Sequence, residues 1–267
     1  MNALEGKRIV ITRATHQAGE FEQLLRGQGA VPLLYPCIAI KPPQDNEHLH
    51  RVLRAALAGT FDWLILTSTN TVRALKQSFD AMGINSPYTL NLQVAAVGSK
   101  TAQYAEEQLG LKVNVVPEQY TAISLAKALP LGKNTRVLLP QSEIAEPALA
   151  TTLTTMGAIV TSMIAYQTVM GCGGIDLPEL LRSGKVDAIT LTSASTVTYL
   201  LQRLQNEGGD VHLLEAVCIA CIGSSTAAAV RENNLSVAVI AEQQTIDGLV
   251  TGLEHYYAEL AIGESKS

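Results

Sequence analysis

The chain contains itself twice. Thr67-Ser68-Thr69-Asn70-Thr71-Val72 returns as Thr192-Ser193-Ala194-Ser195-Thr196-Val197, and Val97-Gly98-Ser99-Lys100-Thr101-Ala102 returns as Ile222-Gly223-Ser224-Ser225-Thr226-Ala227. Ser68 and Ser193, like Gly98 and Gly223, stand 125 positions apart. Fainter echoes lie elsewhere: Arg8-Ile9-Val10 against Arg136-Val137-Leu138, and Gly29-Ala30 against Gly157-Ala158, both 128 apart. A spacing shared by several motifs predicts two copies of one domain. With 267 residues, 47% of them hydrophobic, the chain is long enough to bury two cores.

Strand and helix patterns alternate through both copies. Residues 8–12 read as a short buried strand, 17–27 as a helix closed by glycine, and 31–35 as a second strand. Further apolar runs at 62–66, 93–97, 113–115, 136–139, 159–164, 187–191, 217–222 and 237–240 read as strands, each beside a helical pattern. Near-continuous apolar strands alternating with helices predict an α/β fold, with parallel sheets flanked by helices on both faces.

Two divisions of the chain fit this pattern. One sets 1–130 beside 135–267. In the other, 1–36 joins 172–267, residues 42–165 form the second domain, and 37–41 with 166–171 connect them as a two-stranded ribbon able to act as a hinge.

Composition removes several function classes. A formal net charge of −5 with no basic run argues against nucleic-acid binding, which rests on clustered Lys and Arg. Four cysteines, at 37, 172, 218 and 221, are too sparse for a disulfide framework, and no secretory leader pattern opens the chain, so a reducing, cytoplasmic setting is expected. Cys218 and Cys221 have metal-site spacing, but in a strand residues three apart face opposite sides. No apolar stretch reaches the ~20 residues of a membrane span. With no exposed apolar stripe, a soluble monomer is the expectation.

Other catalytic motifs are missing. After the first predicted strand stands Thr12-Arg13-Ala14-Thr15-His16 rather than the glycine fingerprint of dinucleotide folds, and neither a P-loop nor a Gly-x-Ser-x-Gly elbow occurs. The histidines at 16, 48, 50, 212 and 255 form no zinc pattern, so no metal and no cofactor is expected.

Open parallel sheets bind ligands at the carboxyl ends of their strands. There the chain places Thr67-Ser68-Thr69-Asn70, Gly98-Ser99-Lys100-Thr101, Thr192-Ser193-Ala194-Ser195 and Gly223-Ser224-Ser225-Thr226. A Ser or Thr at such a turn caps a helix, which is worth ~1 kcal/mol structurally. Four such turns, shared between two copies, also suit an anion site built from main-chain N–H groups.

The run Asp62-Trp63-Leu64-Ile65-Leu66-Thr67-Ser68-Thr69-Asn70-Thr71-Val72 resembles the strand-turn signature of the uroporphyrinogen-III synthase family. Gly98-Ser99-Lys100-Thr101-Ala102 and Gly223-Ser224-Ser225-Thr226-Ala227 resemble its Gly-x-x-Thr-Ala turns, and Ile164-Ala165-Tyr166-Gln167-Thr168 is similar to the tyrosine motif ahead of its linker. The resemblance runs from Ile9 to about Leu253 and lies in order and spacing. It implies the discontinuous division, with two similar flavodoxin-like domains joined by a two-stranded β linker. It also implies a substrate and a reaction in tetrapyrrole biosynthesis: hydroxymethylbilane, a linear polycarboxylate, closes to uroporphyrinogen III with loss of water and inversion of the last ring, through a spiro intermediate and without a cofactor.

Residue roles follow from the same resemblance. Tyr166 assists departure of the hydroxyl or, alternatively, anchors the linker. Arg13, Ser68, Thr69, Gly98, Ser99, Thr101, Ser193, Ser195, Gly223, Ser224 and Thr226 form the substrate-binding set. Two positions depart from the family pattern. Many members have a proline after Thr-Arg and an Arg-Gly after the strand at 136–139, where this chain has Ala14 and Pro140-Gln141-Ser142. The missing second arginine moves the load of carboxylate binding onto main-chain donors. A two-domain sensor of an anionic metabolite fits the repeat and the linker equally well, and turnover separates it from a synthase. A nucleotide-sugar-type transferase would need an acidic residue placed for ribose or metal, and none is so placed.

Overall fold

Alternate residues of the first strand go to opposite sides: Ile9 and Ile11 enter one core cluster and Val10 another. That is the period-two signature of a sheet covered on both faces, and it recurs in Trp63 and Ile65 against Leu64 and Leu66. In a computed structural model describing residues 2–84, 92–119 and 121–264, the elements run β1 (Arg8–Ile11), α1 (Thr15–Gly27), β2 (Val31–Leu34), β3 (Ile38–Lys41), α2 (Asn46–Leu57), β4 (Trp63–Leu66), α3 (Thr69–Ala81), β5 (Gln93–Ala96), α4 (Ser99–Leu109) and α5 (Ala122–Ala128). They continue with β6 (Arg136–Ser142), α6 (Ala148–Thr155), β7 (Ile159–Met170), α7 (Leu177–Arg182), β8 (Ala188–Leu191), α8 (Ala194–Asn206), β9 (Cys218–Cys221), α9 (Ser224–Glu232), β10 (Val239–Ile240) and α10 (Ile246–Glu264).

Two units emerge, Met1–Ala39 with Val169–Ser267, and Ile40–Thr168. The first holds the sheet β10-β9-β8-β1-β2, all of whose pairings are parallel. The second holds β3-β7-β6-β4-β5, with β7-β6, β6-β4 and β4-β5 parallel. β1 sits between β2 and β8 as β6 sits between β7 and β4. The copies therefore share a strand arrangement while threading it in different chain order. In the first unit Phe21 and Leu25 of α1 and Leu249 and Leu253 of α10 cover one face, and Val197, Leu200 and Leu204 of α8 cover the other. Each such fully buried side chain contributes about 1.5–3 kcal/mol.

The repeat extends to a matched ion pair. Arg8 donates to Asp187 through its backbone N (2.7 Å) and Nε (2.9 Å), and Arg136 donates to Asp62 through its backbone N (2.7 Å) and a terminal guanidinium nitrogen (2.8 Å). Arg136's hydrogen bonds hold the Asp62 carboxyl below the usual carboxylate range. Burial pushes Asp187 upward, but the bonds and charge of Arg8 outweigh it, so this carboxyl is also held low.

Two stretches differ from the strands read in the sequence. Residues 113–115 provide one bridge, Val115 to Ala95, because the Asn114 side chain takes the Val94 N–H at 2.8 Å. Residues 159–164 and 166–171 fall largely within one strand, β7, which stays paired to β6 through an irregularity at Gln141/Ser142 that sets Ser142 opposite Tyr166. Residues 37–41 supply β3, the neighbour of β7 at the sheet edge.

A buried polar knot closes the first unit where the chain leaves β2. Arg203 of α8, 4% exposed, donates from Nε to Glu207 (2.8 Å) and from its terminal nitrogens to the carbonyls of Pro36 and Gly173 (2.7 Å each). Its guanidinium lies 3.8 Å from the Tyr35 ring centroid, and the Tyr35 hydroxyl donates to Glu207 at 2.8 Å. Pro36 and Gly173 lie in irregular chain with no ladder to satisfy their carbonyls, so the arginine fills that need. The chain passes so closely here that a Cβ on Gly171 would stand 2.0 Å from the Pro36 carbonyl oxygen.

Candidate active site

Because the strands of each sheet are parallel, the turns that leave their carboxyl ends share one edge of that sheet. In the second unit these include β4 to α3 and β5 to α4. In the first they are β1 to α1, β8 to α8 and β9 to α9.

The turns after β4 and β8 are capped alike. Ser68, with extended backbone, accepts the Thr71 N–H at 3.1 Å, and Ser193 accepts the Thr196 N–H at 3.2 Å. Both are N-caps in which a hydroxyl satisfies an orphan donor of the first turn. Thr69 opens α3 and Ser195 lies in the first turn of α8, so the two hydroxyl runs occupy equivalent places. The turns after β5 and β9 begin with Gly98 and Gly223, neither of which supplies a side-chain cap. Ser99 and Ser224 are exposed first residues of α4 and α9, while Thr101 and Thr226 are buried at 6% and 3%. With no side-chain cap at either glycine, these helices start on backbone alone, at the positive end of the helix dipole.

Arg13 follows β1, just ahead of α1, whose start also has no side-chain cap. Its Nε is buried with no hydrogen-bond partner. Burial lowers its pKa from the ordinary guanidinium value, partly opposed by the charge of Glu20. A buried cationic N–H left unbonded is costly, and an anion would relieve that cost. At the equivalent position of the other copy stands Gln141, near the end of β6.

Tyr166 lies on β7, 8% exposed, packed with Ala74 of α3, Ala165 and Ile40. Its hydroxyl is 3.3 Å from Ser68 Oγ, and Ser68 Oγ is 3.1 Å from Thr71 Oγ1. The structure thus brings Tyr166 and Ser68 together although 98 residues separate them. Thr71, wholly buried, joins this contact through both its N–H and its hydroxyl, and no single motif in the sequence marks it out. Its signal was its return as Thr196 within the repeated run. Nearby, Ser142 Oγ and Thr168 Oγ1 stand 3.3 Å apart, and Gln167 donates to Glu143 at 2.7 Å.

The cysteines of the Cys218–Cys221 pair pack in different clusters, Cys218 on one face of the sheet and Cys221 on the other. Burial pushes their thiols up to about 12 and about 11, so neither is a thiolate near neutral pH. Among the described residues no group of three or more His, Cys, Asp or Glu is placed to hold a metal ion, and no helix is long and apolar enough to cross a membrane.

Comparison with known proteins gives a consistent picture. The family model described as uroporphyrinogen-III synthase HemD matches residues 19–251. A uroporphyrinogen-III synthase of Synechococcus elongatus is 34% identical over 261 residues, covering 95% of this chain and 96% of the relative. A porphyrin biosynthesis protein HemD of Ruminiclostridium josui is 29% identical over 94% of this chain, which spans 48% of that longer protein. Among solved structures, a mutant uroporphyrinogen III synthase from Thermus thermophilus shares the fold, with a TM-score of 0.66 at 24% identity, covering 95% of this chain and all of that one.

Proposed function

The chain belongs to the uroporphyrinogen-III synthase family, and on that premise we propose that it closes hydroxymethylbilane to uroporphyrinogen III, a cyclising hydro-lyase reaction with inversion of the last ring. The observation that carries the chemistry is the contact of Tyr166 with the Ser68 turn: a phenol, mostly buried, held 3.3 Å from a hydroxyl at the start of a helix. The leaving hydroxyl sits on a carbon activated by an electron-rich pyrrole. Assisted departure, folding of the chain and exclusion of water are then sufficient catalysis, and no cofactor is required. Tyr166 gives the proton that turns the hydroxyl into water.

Substrate carboxylates are received at the carboxyl ends of the strands. Arg13 offers its unbonded Nε–H. Ser68, Thr69, Gly98, Ser99 and Thr101 in one copy, with Ser193, Ser195, Gly223, Ser224 and Thr226 in the other, line turns whose backbone N–H groups spread the negative charge over many donors. The working division is 1–36 with 172–267 and 42–165, with 37–41 and 166–171 as linker strands. The protein acts as a cytoplasmic monomer on this one small-molecule substrate.

The test supplies enzymatically generated hydroxymethylbilane without metal or nucleotide and separates the oxidised products by chromatography. Isomer III above the spontaneous isomer I is the expected result. Isomer I alone would replace the synthase with a sensor of an anionic metabolite.

A further inference from the structure

We propose that Ser68 is a positioning residue for Tyr166: its hydroxyl, fixed by the first turn of α3, donates to the phenol oxygen and stabilises the negative charge gathering there as Tyr166 releases its proton. The proposal rests on the assignment of Tyr166 as the leaving-group acid.

The hydrogen-bond directions follow from counting donors. Each hydroxyl has one proton and two lone pairs. When Tyr166 donates to the leaving group, its oxygen can only accept from Ser68, 3.3 Å away. Ser68 Oγ then has its two lone pairs for the Thr71 N–H at 3.1 Å and the Thr71 hydroxyl at 3.1 Å. Thr71 Oγ1, wholly buried, in turn has Thr67 Oγ1 at 3.5 Å as a neighbour. One orientation, Thr67 to Thr71 to Ser68 to Tyr166, is thereby favoured. Its last proton points at the substrate.

This orientation also has the right electrostatic sign. The Thr71 N–H belongs to the positive end of a 13-residue helix, and accepting from it makes Ser68 a better donor. In the step itself the phenol proton passes to the hydroxyl oxygen, the carbon–oxygen bond breaks with its electron pair on that oxygen, and water leaves. The positive charge left on carbon is shared with the pyrrole nitrogen. The phenolate, held by Ser68, is reprotonated by the proton the tetrapyrrole releases on ring closure. In the other copy Ser193 meets Ser195 Oγ at 3.0 Å and Thr196 Oγ1 at 2.7 Å, so the same cap serves no phenol in those contacts.

The experiment is a mutant cycle on isomer III formation, with Ser68→Gly and Ser68→Asn, Ser68→Thr, Tyr166→Phe and the double variant Ser68→Gly/Tyr166→Phe. Gly and Asn are both accepted at an N-cap, so α3 keeps its start while the hydroxyl is lost, and circular dichroism checks the fold. Ser68→Gly and Ser68→Asn are expected to lower kcat about 10-fold with KM within about 2-fold, and Ser68→Thr to restore it. The alkaline limb of the kcat profile should move to higher pH without the Ser68 hydroxyl, a shift that a merely structural role would not produce. In the Tyr166→Phe background, removing the Ser68 hydroxyl should cost nothing further. An undiminished second loss there would overturn the relay while leaving Tyr166 in its role. Wild-type kcat in Tyr166→Phe would instead overturn the acid assignment itself, and the relay with it.

Discussion

Arg203 and Ser78 occupy the same place in the two copies, 125 residues apart, and are both buried. Arg203 ties Glu207, Pro36 and Gly173 together under the Tyr35 ring, whereas Ser78 bonds the Ala74 carbonyl of its own helix at 2.9 Å. The positions matching Tyr35 and Glu207 are Met163 and Met82, both packed in an apolar cluster. The difference reflects how the chain leaves each sheet. β2 stops at Leu34 and the chain turns through Pro36, leaving carbonyls to be satisfied, while β7 runs unbroken to Met170. The exposed turns repeat because both copies start helices at the same edge. The interiors differ because only one of them must hold an irregular crossing.

The largest effect should separate these two positions. Arg203→Ala is expected to cost about 3–5 kcal/mol in chemical denaturation, because Glu207 and two carbonyls lose a buried partner, and Ser78→Ala less than about 1 kcal/mol. Similar losses would mean that the knot bears no special load. Tyr166→Phe comes next, with a fall in kcat of about 100-fold at nearly unchanged stability, measured as isomer III formed per enzyme. Arg13 and Gln141 give the third contrast. Arg13→Gln should raise KM about 10-fold through the loss of one charged contact, and Gln141→Ala should leave KM within about 2-fold.

The smallest contrast lies in the matched ion pairs. A carboxyl held below its ordinary value of about 3.9 contributes stability that is complete above that value and is lost as pH falls through its lower folded value. Asp187→Asn should therefore cost up to about 1 kcal/mol near pH 7, and that penalty should fade on acidification below about pH 4. Asp62→Asn should cost less at every pH, since Asp62 and Arg136 are more exposed than Asp187 and Arg8. Denaturation midpoints across pH check both, and a penalty that grew on acidification would contradict the sign.

Much of this was legible in the sequence where the governing physics is local. Ser68, Ser193, Gly98 and Gly223 announced helix starts because a cap is chosen by its own first turn, and the alternating apolar strands gave the α/β class. The Ser68–Tyr166 contact spans 98 residues and the Arg203–Pro36 bond 167, and no local pattern encodes such pairs. No motif in the sequence marks Arg203 out. Its i,i+4 spacing to Glu207 looks the same on a solvated face as in a buried knot. The single bridge at Val115 was hidden likewise, since it depends on an asparagine side chain intercepting a strand N–H.

The most direct measurement sets the two caps against each other: kcat and KM for isomer III formation in Ser68→Gly and in Ser193→Gly, assayed side by side. With both turns binding through backbone N–H groups that glycine keeps, and only the Ser68 hydroxyl touching Tyr166, the first should lose kcat at nearly constant KM and the second should leave kcat and KM within about 2-fold. The same change in the same parameter for both variants would contradict that difference.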